Sequence, residues 1–302
     1  TKDVTLVDCV IQGNIRNYGT GEVRFEAPQI TPESTATKPS EVYKPGATLD
    51  RTLEYGGKTV PIYRDRPLNV FSDVDFIWTG EENENQRRLE YLGGEFRTRY
   101  GIDVSSFQGE IDWDAVADDN IDFAMVRVGF RGTGTGSLNT DKYYEQNIRG
   151  AMRAGLETGV YFFAQAVTVE EAIEEADYVI SLLDGLDING PVAYDWEMHD
   201  STYRVYGTSP EMATACAVAF CERIKDAGYT PMVYGGTYVT YMKYDQGALA
   251  DYLSWYPEYK SEKSEKLCPT LVYHMDYWQF SSTRAVAGIN GRVDMNIQFI
   301  RR

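Results

Sequence analysis

Asp122-Phe123-Ala124-Met125-Val126-Arg127-Val128-Gly129 is the stretch on which the fold turns. It is almost continuously apolar, as expected of a parallel strand buried on both faces, whereas a half-solvated antiparallel strand would alternate. A helix follows from Asp141, with Tyr144, Ile148, Ala151, Met152 and Gly155 on one stripe. The rhythm of strand, loop and helix then repeats.

Before that stretch, 101–106 reads as a first strand, followed by a short helix from Trp113 to Asp118. After it, 159–164 is a third strand. Thr168 and Glu171 make a capping box for a helix buried through Ile173, Ala176, Ile180 and Leu183. Residues 191–196 form a fourth strand. Ser209 and Pro210 open a helix with a stripe of Ala213, Cys216, Ala217, Phe220 and Ile224, closed by Gly228. Residues 230–234 are a fifth strand, and 252–256, 272–280 and 293–299 are three more with little helix between them. Four or five strand–helix units and then extra strands predict an α/β chain, a barrel of parallel strands with its last part short of helices, preceded by an N-terminal extended, β-rich arm. A doubly wound open sheet is the alternative. Gly129 to Gly136 lacks the G-x-G-x-x-G order of its phosphate loop and reads as a loop after strand two.

Residues 1–99 have a different texture. Short strands are expected at 4–7 and 23–25, and 27–46 is rich in Pro, Thr, Ser and Glu, a composition suited to a linker. Gly56-Gly57 begins a hairpin turn into another strand, and 81–88 is polar and solvated. Two domains are expected, a linker-like extension over 1–99 and a barrel over 100–302. The extension offers a membrane or wall tether.

The formal charge of -17 excludes a phosphate-binding nucleic-acid partner, which needs a basic face. Of that charge, residues 99–302 carry 17 Lys and Arg against 30 Asp and Glu, so the barrel is the acidic part and must hold an anionic polymer by placed contacts. The two histidines, His199 and His274, give a zinc site or a Ser-His-Asp triad little to draw on, and neither is assigned a role. Cys9, Cys216, Cys221 and Cys268 show no metal spacing, and Cys216 and Cys221 lie about 140° apart around one helix, too divergent to pair. No metal or cofactor is expected. No apolar run reaches the roughly 20 residues that span a bilayer, and no signal peptide opens the chain at Thr1.

Chemistry collects at Tyr194-Asp195-Trp196-Glu197. Asp195 and Glu197 sit at i and i+2 on a strand, so they share one face and Trp196 takes the other. Like charges that close push one carboxyl up, leaving a protonated donor beside an ionised partner. Working residues in such barrels lie at the C-terminal ends of the strands, where Asp195 and Glu197 end strand four; Asp103 on strand one and Asp294 at the start of the last strand are further acids in strands that a barrel closes next to one another. Arg127 is a buried-looking charge expected to meet a carboxylate of the site. Tyr161, Phe163, Tyr234, Tyr273, Trp278 and Gln279 are the candidate lining of that mouth, although alternation lets only one of Trp278 and the Tyr277/Gln279 pair face inward.

Four blocks then resemble the signatures of family 25 glycoside hydrolases, the Chalaropsis-type lysozymes: Gly101-Ile102-Asp103-Val104-Ser105-Ser106-Phe107-Gln108-Gly109, Tyr194 to Glu197, Tyr277-Trp278-Gln279-Phe280-Ser281-Ser282, and Gly288-Ile289-Asn290-Gly291-Arg292-Val293-Asp294-Met295-Asn296. The resemblance spans about residues 100–300 in order. It implies a flattened TIM-like (β/α)5β3 barrel, and cleavage of the β-1,4 bond between N-acetylmuramic acid and N-acetylglucosamine in peptidoglycan. It also implies Glu197 as general acid, Asp195 as stabiliser of the positive charge at the sugar, and Asp103 and Asp294 around them. A secreted or cell-surface location is expected with it, the signal or anchor segment being absent from this chain.

Acids two apart on one strand have Cα atoms about 6.5–7 Å apart and do not flank the bond, which favours substrate-assisted hydrolysis with retention. Two other readings compete: a glycan-binding barrel without turnover, and an N-acetylglucosaminidase or chitinase acting on a neighbouring bond.

Overall fold

The computed structural model describes residues 36–46, 48–80 and 87–302, together with the backbone of strands β1 (Val4–Val7) and β2 (Val23–Glu26). Cys9, residues 27–35 of the linker expected over 27–46 and most of the polar 81–88 stretch lie outside the described residues. Thr1–Ala36 forms one compact unit, in which β1 and β2 pair in parallel, and Thr37–Arg302 forms another.

The second unit opens with a short helix, α1 (Pro39–Val42), and two antiparallel hairpins. β3 (Leu49–Tyr55) pairs with β4 (Lys58–Tyr63) across the Gly56-Gly57 turn, where both residues have positive φ. β5 (Phe76–Thr79) pairs with β6 (Arg88–Tyr91).

Five strand–helix units follow: β7 (Phe96–Val104) with α2 (Trp113–Asp118); β8 (Phe123–Arg131), a side strand β9 (Leu138–Thr140) and α3 (Tyr144–Arg153); β10 (Glu157–Ala164) with α4 (Val169–Leu182); β11 (Val192–Trp196) with α5 (Pro210–Asp226); and β12 (Pro231–Tyr234) with α6 (Thr237–Met242). Three strands complete the chain, β13 (Leu253–Pro257), β14 (Tyr277–Arg284) and β15 (Val293–Arg301). β7, β8, β10, β11, β12, β13, β14 and β15 close on themselves as an eight-stranded barrel. Seven of these run parallel; β15 is antiparallel to both of its neighbours, β14 and β7. The five-plus-three order is the one expected from the sequence.

Two apolar layers follow from the strand pattern. Phe123, Met125, Ala193, Met232, Trp255 and Tyr277 fill the interior, and Val126, Val160, Tyr194, Trp196 and Trp278 point outward to the helices and hairpins. Ser209 caps α5 by accepting from Met212 N, and Gly228 ends the segment at a φ of 90°. Cys216, Cys221 and Cys268 are free, buried thiols.

Several boundaries differ from expectation, three of them for a visible reason. β8 runs on through Gly129 to Arg131, because β9 folds back and pairs with it. β7 starts at Phe96, because β15 pairs with it along its whole length. β14 starts at Tyr277, since Tyr273 is engaged in a bridge with Leu68.

That bridge is one of many ties between residues 37–99 and the barrel. Arg66, 5% exposed, donates to Gln246 Oε1 and Leu249 O, and Asn69 donates to Pro269 O and Leu271 O. Phe71 packs on Phe299, and Phe76 packs on Trp278.

Candidate active site

At the C-terminal ends of the parallel strands, Phe163, Asp195, Tyr234 and Trp255 stand in register across β10 to β13. Strand alternation carries each of them inward. Asp103 is next to last in β7 and is the direct partner of Asp294 on β15. Glu197 follows β11 at once, and Trp196 between the acids turns outward, its Nε1 donating to Ala166 O at 3.1 Å. The four acids thus come from three strands to one cavity of about 200 Å³, which Arg127, Tyr161, Phe163, Tyr234 and Gln279 also line. A second cavity of about 470 Å³ shares Glu197, Tyr234 and Tyr259 with the first and continues along Met198, Tyr238, Val239 and Pro257. Glu197 stands at the junction; Asp103, Asp195 and Asp294 line only the smaller cavity.

Burial first, and then the charges of Glu197 and Asp103, push the Asp195 carboxyl well up; Arg127 opposes them. Asp294 is pushed up to about 8 by burial, Asp103 and Glu197. Asp103 is raised less, to about 6, because the hydrogen bonds to its carboxylate offset part of the burial. Those bonds come from Gln279 Nε2 and Asn296 Nδ2, both at 2.8 Å and both to Oδ2. Each donor is itself fixed. Gln279 Oε1 accepts from Tyr234 and Tyr259 at 3.1 Å, and Asn296 Oδ1 accepts from Trp255 Nε1 at 2.7 Å. Among the described residues Asp195 Oδ1 is buried without a hydrogen-bond partner.

Arg127 meets a carboxylate, that of Asp141, outside the cavity lining: Nη2 lies 2.8 Å from Oδ2, and the guanidinium also lies over the Phe107 and Phe130 rings. Tyr273 and Trp278 do not reach the site. Tyr273 OH accepts from Tyr63 N beneath the first hairpin, and Trp278 is fully buried outside the barrel, donating to Glu258 O and packing on Phe76. Alternation selects Gln279 as the inward residue of β14, and the N-terminal hairpins cover the outward one.

Four further contributors went unnoticed in the sequence. Asn296 is two residues from Asp294 on one strand face, so period two would have found it. Trp255 is inward on an expected strand. Tyr259 lies past the end of β13, where no pattern points to it, and His199, left unassigned, lies 2.9 Å from Glu197 Oε2. Among the described residues no group of three or more His, Cys, Asp or Glu has the geometry to hold a metal.

With this geometry established, known proteins can be compared. The family model described as Glycosyl hydrolases family 25 matches residues 102–289. The chain belongs to that family. The autolytic lysozyme of Clostridium acetobutylicum is 25% identical over 197 residues, covering 65% of this chain and 54% of that protein. The chain therefore spans about half the length of that relative. Lysozyme M1 of Streptomyces globisporus is 27% identical over 201 residues, covering 65% of this chain and 66% of that one. The crystal structure of the bacterial lysozyme from Streptomyces coelicolor superposes with a TM-score of 0.53 at 26% identity, over 66% of this chain and 90% of that one. The family match falls within Thr37–Arg302, the unit that holds the four acids.

Proposed function

We propose that this protein is a peptidoglycan hydrolase that cleaves the β-1,4 bond between N-acetylmuramic acid and N-acetylglucosamine. The observation that carries the proposal is the convergence of Asp103, Asp195, Glu197 and Asp294 on one cavity, in a family 25 barrel whose curated relatives include lysozymes.

Glu197, at the junction of the two cavities, is the general acid. The sugar that develops positive charge occupies the smaller cavity beside Asp195, and the leaving sugar extends into the larger one. As the bond from C1 to the bridging oxygen breaks, its electron pair goes to that oxygen, which takes the Glu197 proton. Burial and the neighbouring acids favour the neutral form of Asp195 in the empty site; turnover in this reading requires the proton on Glu197 and an ionised Asp195 against the oxocarbenium-like sugar.

The sugar's own acetamido oxygen is the nucleophile in this reading, with retention as the outcome. The positions of Asp195 and Glu197, two apart at the end of one strand and lining one cavity, support it, because acids that do not flank the bond leave the nucleophile to the substrate. Arg127, Tyr161, Phe163, Tyr234, Tyr259 and Gln279 line the sugar's path. The proposed place of action is the cell wall, outside the cell or at its surface, with Thr1–Ala36 as the segment available for a tether. Among the described residues no helix is long and apolar enough to cross a membrane.

The test is mass spectrometry of fragments from purified peptidoglycan after borohydride reduction. Reduced muramic acid at the new ends is expected; reduced glucosamine would replace the muramidase with an N-acetylglucosaminidase, and intact glycan would reduce the protein to a binding barrel. Product anomers followed by NMR in deuterated water are expected to be retained, and an inverted product would overturn substrate assistance.

A further inference from the structure

After Glu197 the chain turns back over its own acid. His199 Nε2 comes to 2.9 Å from Glu197 Oε2, although the imidazole is 63% exposed and belongs to no regular element. The turn that holds it is built: Asp200 Oδ1 accepts from Thr202 N and Thr202 Oγ1, and the Tyr203 ring meets the imidazole edge-on at 5.3 Å. From below, Gln165 Nε2 donates to Glu197 O at 2.8 Å, and Gln165 N is held in turn by Glu175. Glu197 is therefore gripped at its backbone and at one carboxylate oxygen. Among the described residues no hydrogen bond engages the other oxygen, Oε1.

The charges around Glu197 make this contact matter. Asp195 on β11, Asp103 on β7 and Asp294 on β15 face it with like charge, and the phenols of Tyr203, Tyr234 and Tyr259 are also close enough to feel it. The site's arginine, Arg127, is paired with Asp141. A carboxylate formed at Glu197 during turnover would thus face acids on several sides, with His199 as the N–H donor in contact with it.

We propose that His199 is a positioning residue for the acid. Resting on the reading of Glu197 as general acid, its imidazole donates Nε2–H to Oε2 and leaves Oε1 to carry the proton to the bridging oxygen. When that proton departs with C1–O cleavage, the same hydrogen bond becomes charge-assisted and stabilises the carboxylate left behind. In the second step the carboxylate takes a proton from the water that attacks C1, and the acid is restored. His199 keeps its own proton throughout, so the proton count closes on Glu197 alone.

Two measurements test this. His199→Phe keeps a ring against Tyr203 and removes the donor, whereas His199→Gln returns an N–H donor. With peptidoglycan glycan oligomers as substrate, His199→Phe is expected to lower kcat about 10-fold to 100-fold and to leave KM within about threefold, as for a bond that matters most in the transition state; His199→Gln is expected to recover most of the loss. A His199→Phe kcat within twofold of wild type would overturn the proposal, as would equal defects in the Phe and Gln variants. The second measurement needs no turnover. The chain has two histidines, so side-chain 1H–15N correlation spectra of wild type and His199→Phe assign the His199 imidazole, and its Nε2 resonance is expected to move in Glu197→Ala while that of His274 stays in place, because the carboxylate that accepts from Nε2–H is gone. An unchanged His199 Nε2 resonance would overturn the contact whatever the substrate, whereas absence of wild-type cleavage would overturn only the functional reading above.

Discussion

Asp103 and Asp294 face each other as direct partners across the antiparallel pair of β7 and β15, two carboxyl groups of one sign in adjoining strands. Asp103 adds to the difficulty of ionising Asp294, which is pushed up to about 8 by burial and the charges of Asp103 and Glu197. The closed barrel holds the pair together, because β15 runs antiparallel and brings its first residues to the end of β7.

Stability should therefore fall with rising pH. Both groups have folded values above their unfolded ones, so the folded state binds more protons between about pH 4 and 8. The advantage is complete below the unfolded value and is lost as pH rises through about 6 for Asp103 and about 8 for Asp294. Thermal unfolding is expected to give a higher Tm at pH 5 than at pH 8. Asp294→Asn should flatten the slope, raising Tm at pH 8 by about 3 °C or more while changing it little at pH 4. The same change in Tm at both pH values would show that the pair is not the source.

Glu197→Gln should reduce kcat by at least about 1000-fold, since the amide has no proton to give, while leaving the circular dichroism spectrum and Tm close to wild type. Asp195→Asn should cost about 100-fold to 1000-fold, the loss of a carboxylate facing positive charge. Substantial turnover by Glu197→Gln would remove the acid role assigned to it.

Gln279 and Trp278 are neighbours on β14 with opposite expectations. Gln279→Leu deprives Asp103 of a donor and Tyr234 and Tyr259 of their shared acceptor, so kcat/KM should fall by roughly 10-fold to 100-fold with the fold retained. Trp278→Phe loses the bond to Glu258 O and some packing against Phe76, so Tm should drop while KM stays unchanged. A KM effect from Trp278→Phe would place that residue at the sugar after all.

The strand order, the shared face of Asp195 and Glu197 and the strand-end positions of Asp103 and Asp294 were legible because they follow from alternation and apolar runs, which are local. Trp278 against Gln279 was not, because the choice depends on what covers the outside of the barrel. That cover is Phe76 and its hairpin, in a region whose Pro-rich and polar composition reads as a linker. Arg66 shows the same limit: an arginine between aspartate and proline gives no sign that it will be buried against Gln246 and Leu249. His199 could not be reached from the sequence either, since its contact depends on a turn held by Asp200 and Tyr203 rather than on any period.

The cover formed by residues 37–99 leads to the last prediction. If this segment were a tether, protease would cut it away and leave a core starting near residue 95. The ties at Arg66, Asn69, Phe71 and Phe76 argue instead for a resistant fragment beginning near Thr37, the start of the compact unit that contains the barrel. Mass spectrometry after brief proteolysis would decide, with a fragment starting near 95 as the adverse result. Arg66→Ala should then destabilise the whole unit by about 2–4 kcal/mol, because it opens a cavity and leaves the Leu249 carbonyl and Gln246 without their donor. A single cooperative unfolding transition shifted as a whole would mean that the segment folds with the barrel. A separate early transition in the variant would mean that it folds on its own.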